Sequence, residues 1–180
     1  MTSKRMLAIA LVLLALLVVD AGAATKQELD RDGKKALQTL ISKVKAAKML
    51  NGKAVAVLVF PDMVKAGFMF GGQLGEGVLL RGGKPSGYYN SVGASYGLQA
   101  GAQKFGYALF FMNEKALQYL DSSEGFEVGM GPSFVLVDEG KGKSMTSTTA
   151  TQDVYAFIFS QTGLMGGLGL QGTKISKISK

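Results

Sequence analysis

The sequence contains no cysteine, no histidine and no tryptophan among its 180 residues. Without cysteine the chain can form no disulfide and offers no thiolate nucleophile, and it has no cysteine to which a lipid could be attached. Without histidine it lacks the usual general base at neutral pH and the commonest ligand of transition metals. The fold must therefore be held by burial alone, and we expect no metal site and no cofactor.

No motif for catalysis is complete. One G-x-S-x-G occurs, Gly93-Ala94-Ser95-Tyr96-Gly97, but the chain has no histidine to act as the base of a Ser-His-Asp triad, so a hydrolase nucleophile elbow is not indicated. Glu76 is the one charge in the stretch from Ala66 to Leu80. It could be a ligand or a catalytic carboxylate, for instance paired with Asp62, or a turn residue that faces water. With no histidine or cysteine nearby, the turn residue is the favoured interpretation, and we predict that the protein is not an enzyme.

The first 23 residues have the pattern of a secretory signal peptide. Lys4 and Arg5 precede an apolar run from Met6 to Val19, and Ala21-Gly22-Ala23 supplies small residues for cleavage. The run is shorter than the roughly 20 residues that span a bilayer. We expect cleavage after Ala23, which leaves one exported domain, residues 24–180, in a periplasm or outside the cell. Asp20 lies unusually close to the run, so an uncleaved anchor is the alternative.

Positive charge is concentrated just after this segment. Residues 24–180 carry a net charge of +6, and the part from Lys26 to Lys53 contributes +5 of it. Apolar residues recur there at spacings of three and four, which predicts one amphipathic helix of about six turns. Thr25 and Glu28 form a capping box at its start, and Asn51-Gly52 ends it. Such a helix either lies on an anionic membrane or docks on a sheet with its lysines in water, and docking is the commoner arrangement.

Most of the remaining chain has the pattern of short strands. Ala54 to Phe60 is a continuous apolar run, consistent with a strand covered on both faces or with a short buried element. The glycine-rich stretch from Ala66 to Leu80 predicts two strands and a tight turn, and Arg81 to Gly87 predicts a second turn. Further strands are expected at Tyr88–Ala102, Phe105–Met112, Val154–Phe159 and Leu164–Ile178. The segment from Phe126 to Val137 predicts two short strands, broken at Gly129-Met130-Gly131-Pro132. Asn113 should cap a short helix from Glu114 to Leu120.

These segments predict an α+β fold. An N-terminal amphipathic helix packs on a glycine-rich, mainly antiparallel sheet or partly closed barrel, with one short helix inserted. Gly93, Gly97 and Gly101 recur every fourth residue, which on a strand places them on one face where another layer can approach closely. The same spacing on a helix would suggest helix dimerisation, but this segment is polar and rich in tyrosine.

Several motifs occur in a defined order along the chain. The glycines that we assign to a structural motif are Gly67, Gly75, Gly77, Gly93, Gly97 and Gly101. They are followed by Met112-Asn113, Gly131-Pro132 and the closing run from Gly163-Leu164-Met165 to Gly172. In this order the set resembles the SYLF domain family over nearly all of residues 24–180. One departure is Tyr88-Tyr89-Asn90-Ser91, where many members have Trp-Ser-x-Pro.

The resemblance implies a non-enzymatic module that binds anionic phospholipids or phosphoinositides through basic residues of an N-terminal amphipathic helix. It also implies actin-linked roles, which an exported bacterial member would not ordinarily exercise. The candidate lipid-binding residues here are Lys26, Arg31, Lys34, Lys35, Lys43, Lys45 and Lys48. The alternative is a protein-interaction or envelope-structural domain in which the helix is docked and the sheet face binds a protein. Export and the lack of a recognition motif argue against nucleic acid as the partner.

Overall fold

The computed structural model describes residues 23–122, 126–127, 131–137, 145–146, 150–163 and 173–180. Within these ranges only the backbone is described at residues 68–70, 95–100, 122 and 126–127. The helices are α1 (Lys26–Lys43), α2 (Lys45–Asn51) and α3 (Glu114–Ser122). The strands are β1 (Ala56–Arg81), β2 (Lys84–Phe111), β3 (Phe126–Glu127), β4 (Phe134–Leu136), β5 (Val154–Gly163) and β6 (Thr173–Ile178).

The sheet is built around a long antiparallel hairpin of β1 and β2. Its strands pair from Ala56 with Phe111 to Arg81 with Lys84, and the exposed Gly82 and Gly83 make the turn with positive φ. Strands β5 and β6 both pair antiparallel with the other edge of β2. Strand β4 runs parallel to β5, and β3 runs antiparallel to β6. The result is a mixed, mainly antiparallel sheet that curls into a half-barrel. This confirms the predicted α+β fold with a mainly antiparallel sheet or partly closed barrel.

The curled sheet carries an apolar core on each of its two faces. Leu58, Tyr107 and Leu109 point to the concave side, where Leu117 and Leu120 of α3 cover them. Val57, Val59 and Phe110 point to the convex side, under α1 and α2. Residues 57–60 are almost completely buried, which confirms the prediction of a strand covered on both faces.

The prediction of a turn between Ala66 and Leu80 is wrong, because this stretch lies inside the continuous strand β1. Its glycines permit a close approach instead of a turn. A Cβ on Gly75 would lie 2.4 Å from Met63 Sδ, and one on Gly77 would lie 2.6 Å from Phe60 Cδ1. The two halves of β1 therefore curl toward each other, and the glycines make room for the side chains between them. Residues 88–102 and 105–112 are likewise parts of one strand, β2, up to Phe111.

Helix α1 crosses β1 at a glycine. Gly33 is buried, and a Cβ on it would lie 2.2 Å from Cγ1 of the fully buried Val78. In an exposed helix, replacing glycine by alanine gains about 1 kcal/mol. Here we expect Gly33→Ala to lower the free energy of unfolding by about 1–2 kcal/mol, because the new methyl group overpacks the helix–sheet contact.

Urea denaturation of residues 24–180 measures this effect, and Val78→Ala provides the matched background. In that background the methyl group on residue 33 has space, so Gly33→Ala should become neutral or stabilising. If Gly33→Ala stabilises the chain that retains Val78, then α1 does not pack on β1 at this point.

Candidate functional site

The basic residues singled out in the sequence lie on α1 and α2, on the convex side of the sheet. Helix α1 begins at the predicted capping box: the Glu28 backbone N–H donates to Thr25 Oγ1 at 3.3 Å, and the Thr25 backbone N–H donates to Glu28 Oε2 at 2.8 Å. The reciprocal hydrogen bonds satisfy two backbone donors that an uncapped helix leaves unpaired. They also lower the pKa of the Glu28 carboxyl, the bond to the Thr25 backbone being the main cause.

The prediction of a single helix of about six turns is wrong, because the chain breaks at Val44. Val44 has the extended angles φ −116° and ψ 107°, so it ends α1 and precedes α2. Its N–H still donates to the Leu40 carbonyl at 2.9 Å, and its carbonyl accepts from the Lys48 N–H at 3.1 Å. After this change of direction, Ala47 and Leu50 are completely buried in the convex core.

The apolar sides of both helices are docked on the sheet. Leu29, Leu37 and Leu40 of α1 are buried. A polar contact adds to this docking, since the Tyr88 hydroxyl of β2 donates to Asp30 Oδ1 of α1 at 2.8 Å. Burial raises the pKa of Tyr88 to about 12, and the hydrogen bond to Asp30 acts in the same direction. The helices therefore present their charged sides, and not their apolar sides, to the surroundings.

Two of the seven candidate residues are engaged within the molecule. The Arg31 guanidinium forms an exposed ion pair with Asp32, with Nε 2.8 Å from Oδ1. The Lys26 ammonium lies over the Tyr88 ring, 5.8 Å from its centroid. An anionic ligand would have to compete with these contacts.

We call the other five candidates, the exposed lysines of α1 and α2 taken together, the lysine face. All are exposed, and within the described ranges none has a carboxylate within ion-pair distance. Lysine ammonium groups on flexible stems are point charges with three donors each, which suits them to phosphate groups presented in varying geometry. The members of the lysine face are Lys34, Lys35, Lys43, Lys45 and Lys48.

The glycines of the structural motif fall into two groups. Gly75, Gly77 and Gly93 stand where another atom approaches closely, and a Cβ on Gly93 would lie 2.9 Å from Thr173 Oγ1. Gly101 is exposed, with φ +135°, and Gly67 is half-buried. The surroundings of Gly97 lie outside the described side chains.

Glu76 is not a turn residue. None of its hydrogen bonds that the structure describes involves a second carboxylate. Glu76 lies inside β1, close to the end of the strand at Arg81, and accepts hydrogen bonds from the Ala24 backbone N–H and from the Lys180 ammonium. Both partners are remote in sequence, so no local pattern could have identified the contact. In the described part of the chain, no cluster of three or more acidic residues could hold a metal ion.

The concave side holds buried polar residues that no sequence pattern predicted. Lys65, Gln73, Ser91, Gln103 and Thr173 are all buried. The Gln73 side-chain amide donates to Thr173 Oγ1 at 2.6 Å across the sheet. A strand pattern that alternates between the two faces is hard to recognise around these residues, because glycines occupy many of the neighbouring positions.

Comparison with known proteins identifies the second half of the chain. Residues 92–180 match the family model described as Ysc84, Las17-binding protein actin regulator. The match begins within β2 and runs to the last residue of β6 and beyond, so it does not include the lysine face. No curated protein matches the chain. None of the described helices is long and apolar enough to cross a membrane.

Proposed function

The chain belongs to the SYLF (Ysc84) domain family, and on that premise we propose that it binds anionic phospholipid headgroups, phosphoinositides among them, through the lysine face. Family membership suggests a module for lipid-related or actin-related binding. We choose lipid because five lysines are exposed and, among the described residues, have no carboxylate within ion-pair distance. They are Lys34, Lys35, Lys43, Lys45 and Lys48. The proposed role is binding without catalysis.

The docked state of the helices determines the mode of binding that we propose. Because Leu37 and Leu40 are buried against the sheet, insertion of an apolar helix face would first require undocking. Attraction between exposed lysines and headgroups requires no such change. Each lysine near an anionic surface contributes on the order of 1 kcal/mol, and salt weakens the attraction within a Debye length of about 10 Å at 0.1 M. Binding should therefore be peripheral, reversible and sensitive to salt.

Co-sedimentation with liposomes tests this proposal. Residues 24–180 should pellet with vesicles that contain phosphatidylglycerol, cardiolipin or a phosphoinositide, and should stay in solution with neutral phosphatidylcholine vesicles. Raising the salt concentration from 0.05 M to 0.5 M should release most of the bound protein. Pelleting with neutral vesicles, or pelleting that survives high salt, would contradict a headgroup contact made by lysines.

The location that we propose follows from the signal peptide expected in the first 23 residues. An exported chain with this binding mode would be a peripheral protein of a membrane that faces a periplasm or the outside of the cell. The intact mass of the protein recovered from fractionated cells tests both points, because processing removes a defined segment. Recovery of the unprocessed chain in the cytoplasmic fraction would contradict them.

A protein partner is the second candidate function, and one exposed feature favours it. Leu74 and Val92 face each other across β1 and β2 with exposed fractions of 56% and 53%. A cross-strand apolar pair of this kind on a sheet can contribute to a protein interface, although it is small. If the chain pellets with none of the vesicle compositions, a protein-interaction or envelope-structural role replaces the lipid proposal.

A further inference from the structure

Glu76 contacts both Ala24, which precedes α1, and Lys180, which follows β6. The Ala24 backbone N–H donates to Glu76 Oε2 at 2.9 Å. The Lys180 ammonium donates to both oxygens of the same carboxylate at 2.9 Å, and to the Ala24 carbonyl at 2.7 Å. The side chains are well covered, with exposed fractions of 27% for Glu76 and 11% for Lys180. We call Ala24, Glu76 and Lys180 the terminal junction.

The terminal junction coincides with the expected processing site. Ala24 is the residue that follows the predicted cleavage point, and it lies directly before Thr25, the N-cap of α1. In the precursor its nitrogen is a neutral amide. Hydrolysis of the bond between Ala23 and Ala24 adds the hydroxyl of one water to the Ala23 carbonyl carbon and its hydrogen to the Ala24 nitrogen. That amine then takes a proton from solvent and becomes an ammonium group.

We propose that Glu76 is a binding site for the α-ammonium group that cleavage creates on Ala24, so that processing completes an ion pair that the precursor lacks. In the amide contact, the Ala24 nitrogen already lies 2.9 Å from Glu76 Oε2, which is a suitable distance for the ion pair. The inference depends on cleavage after Ala23 and does not depend on lipid binding.

Two physical arguments support the site. A hydrogen bond from an ammonium group to a carboxylate is stronger than one from a neutral amide, and a carboxylate can accept about four hydrogen bonds, enough for Ala24 and Lys180 together. A free ammonium beside the N-terminus of a helix is also unfavourable, because the helix dipole places positive charge there. Glu28 is engaged with Thr25 in the capping box, so Glu76 is the carboxylate positioned to neutralise the new charge.

The first test is the intact mass of the exported protein, which should correspond to a chain that begins at Ala24. The second is a thermal-unfolding cycle on residues 24–180, prepared with a free α-amine or with the amine enzymatically acetylated. Acetylation restores an amide N–H at Ala24 and removes only the charge. We expect it to lower Tm by about 2–4 °C when Glu76 is present, the shift that one such ion pair gives in a domain of this size.

In Glu76→Gln the same acetylation should no longer lower Tm and should leave it unchanged or raise it by about 1–2 °C, because the ammonium group then lies beside the positive end of the α1 dipole with no carboxylate to neutralise it. Glu114→Gln is the matched control: Glu114 is an exposed carboxylate that pairs with Arg81, and this variant should retain the full effect of acetylation. Equal effects of acetylation with and without Glu76 would overturn the proposal, as would a mature chain that begins at another residue. No step involves lipid, so either result leaves the lipid proposal to its own experiment.

Discussion

Replacing Leu40 by alanine should lower the free energy of unfolding by about 3 kcal/mol, within the range of about 2–5 kcal/mol for buried leucines. Leu40 is 1% exposed and packs in the convex core, where α1 meets the sheet. The variant loses the transfer free energy of the deleted carbons, and it leaves a cavity that the stiff β-branched neighbours Val57 and Val59 cannot fill. Urea denaturation of residues 24–180 gives the value.

Leu74→Ala is the matched control, because it deletes the same atoms at a position that is 56% exposed. We expect it to cost less than about 0.5 kcal/mol, as surface substitutions usually do. If Leu40→Ala were as mild as Leu74→Ala, the apolar side of α1 would not be docked in solution. That side would then be free to enter a bilayer, and binding by insertion would replace the headgroup contact proposed above.

Local patterns predicted the start of α1, the cap of α3 and the hairpin turn. In each case the deciding hydrogen bond or dihedral angle involves neighbours in sequence, such as Thr25 with Glu28 or Asn113 with the Ala116 N–H. Gly82 and Gly83 likewise adopt the positive φ that a tight turn favours. The same local reasoning predicted the exposure of Lys34, Lys35 and Lys43, since the apolar spacing of α1 leaves these lysines outside its buried stripe.

Local patterns failed where a tertiary contact decides the outcome. The glycines between Ala66 and Leu80 look like turn residues, and only the approach of Met63 and Phe60 shows that they serve a curled strand. Nothing near Val44 in the sequence stops the helix, and the break is explained by where Ala47 and Leu50 are buried. The partners of Glu76 are 52 and 104 positions away, so the terminal junction could not be inferred before the fold was known.

The position of the lysine face on the convex side makes the lipid proposal specific to one surface. Helix α3 packs against the concave core, so its Lys115 and the neighbouring Lys177, which pairs with Asp121 of α3, lie on the other side of the sheet. A bilayer is nearly flat compared with a domain of this size. Contact on the convex side would therefore keep the concave side in water, and charge there should have little influence on binding.

Replacing Lys34 and Lys35 by glutamate should weaken binding to anionic vesicles several hundred-fold. Two attractions of on the order of 1 kcal/mol each are lost, and two repulsions of similar size replace them, a total of about 4 kcal/mol. Lys115→Glu with Lys177→Glu changes the net charge equally, and it should weaken binding less than about threefold because those residues lie on the concave side, where the sheet separates them from a membrane on the convex side and salt screens their charge. Vesicle titration of the two double variants, with thermal unfolding to show that both are folded, measures the difference. Equal losses would mean that net charge, and not the lysine face, attracts the domain to the membrane.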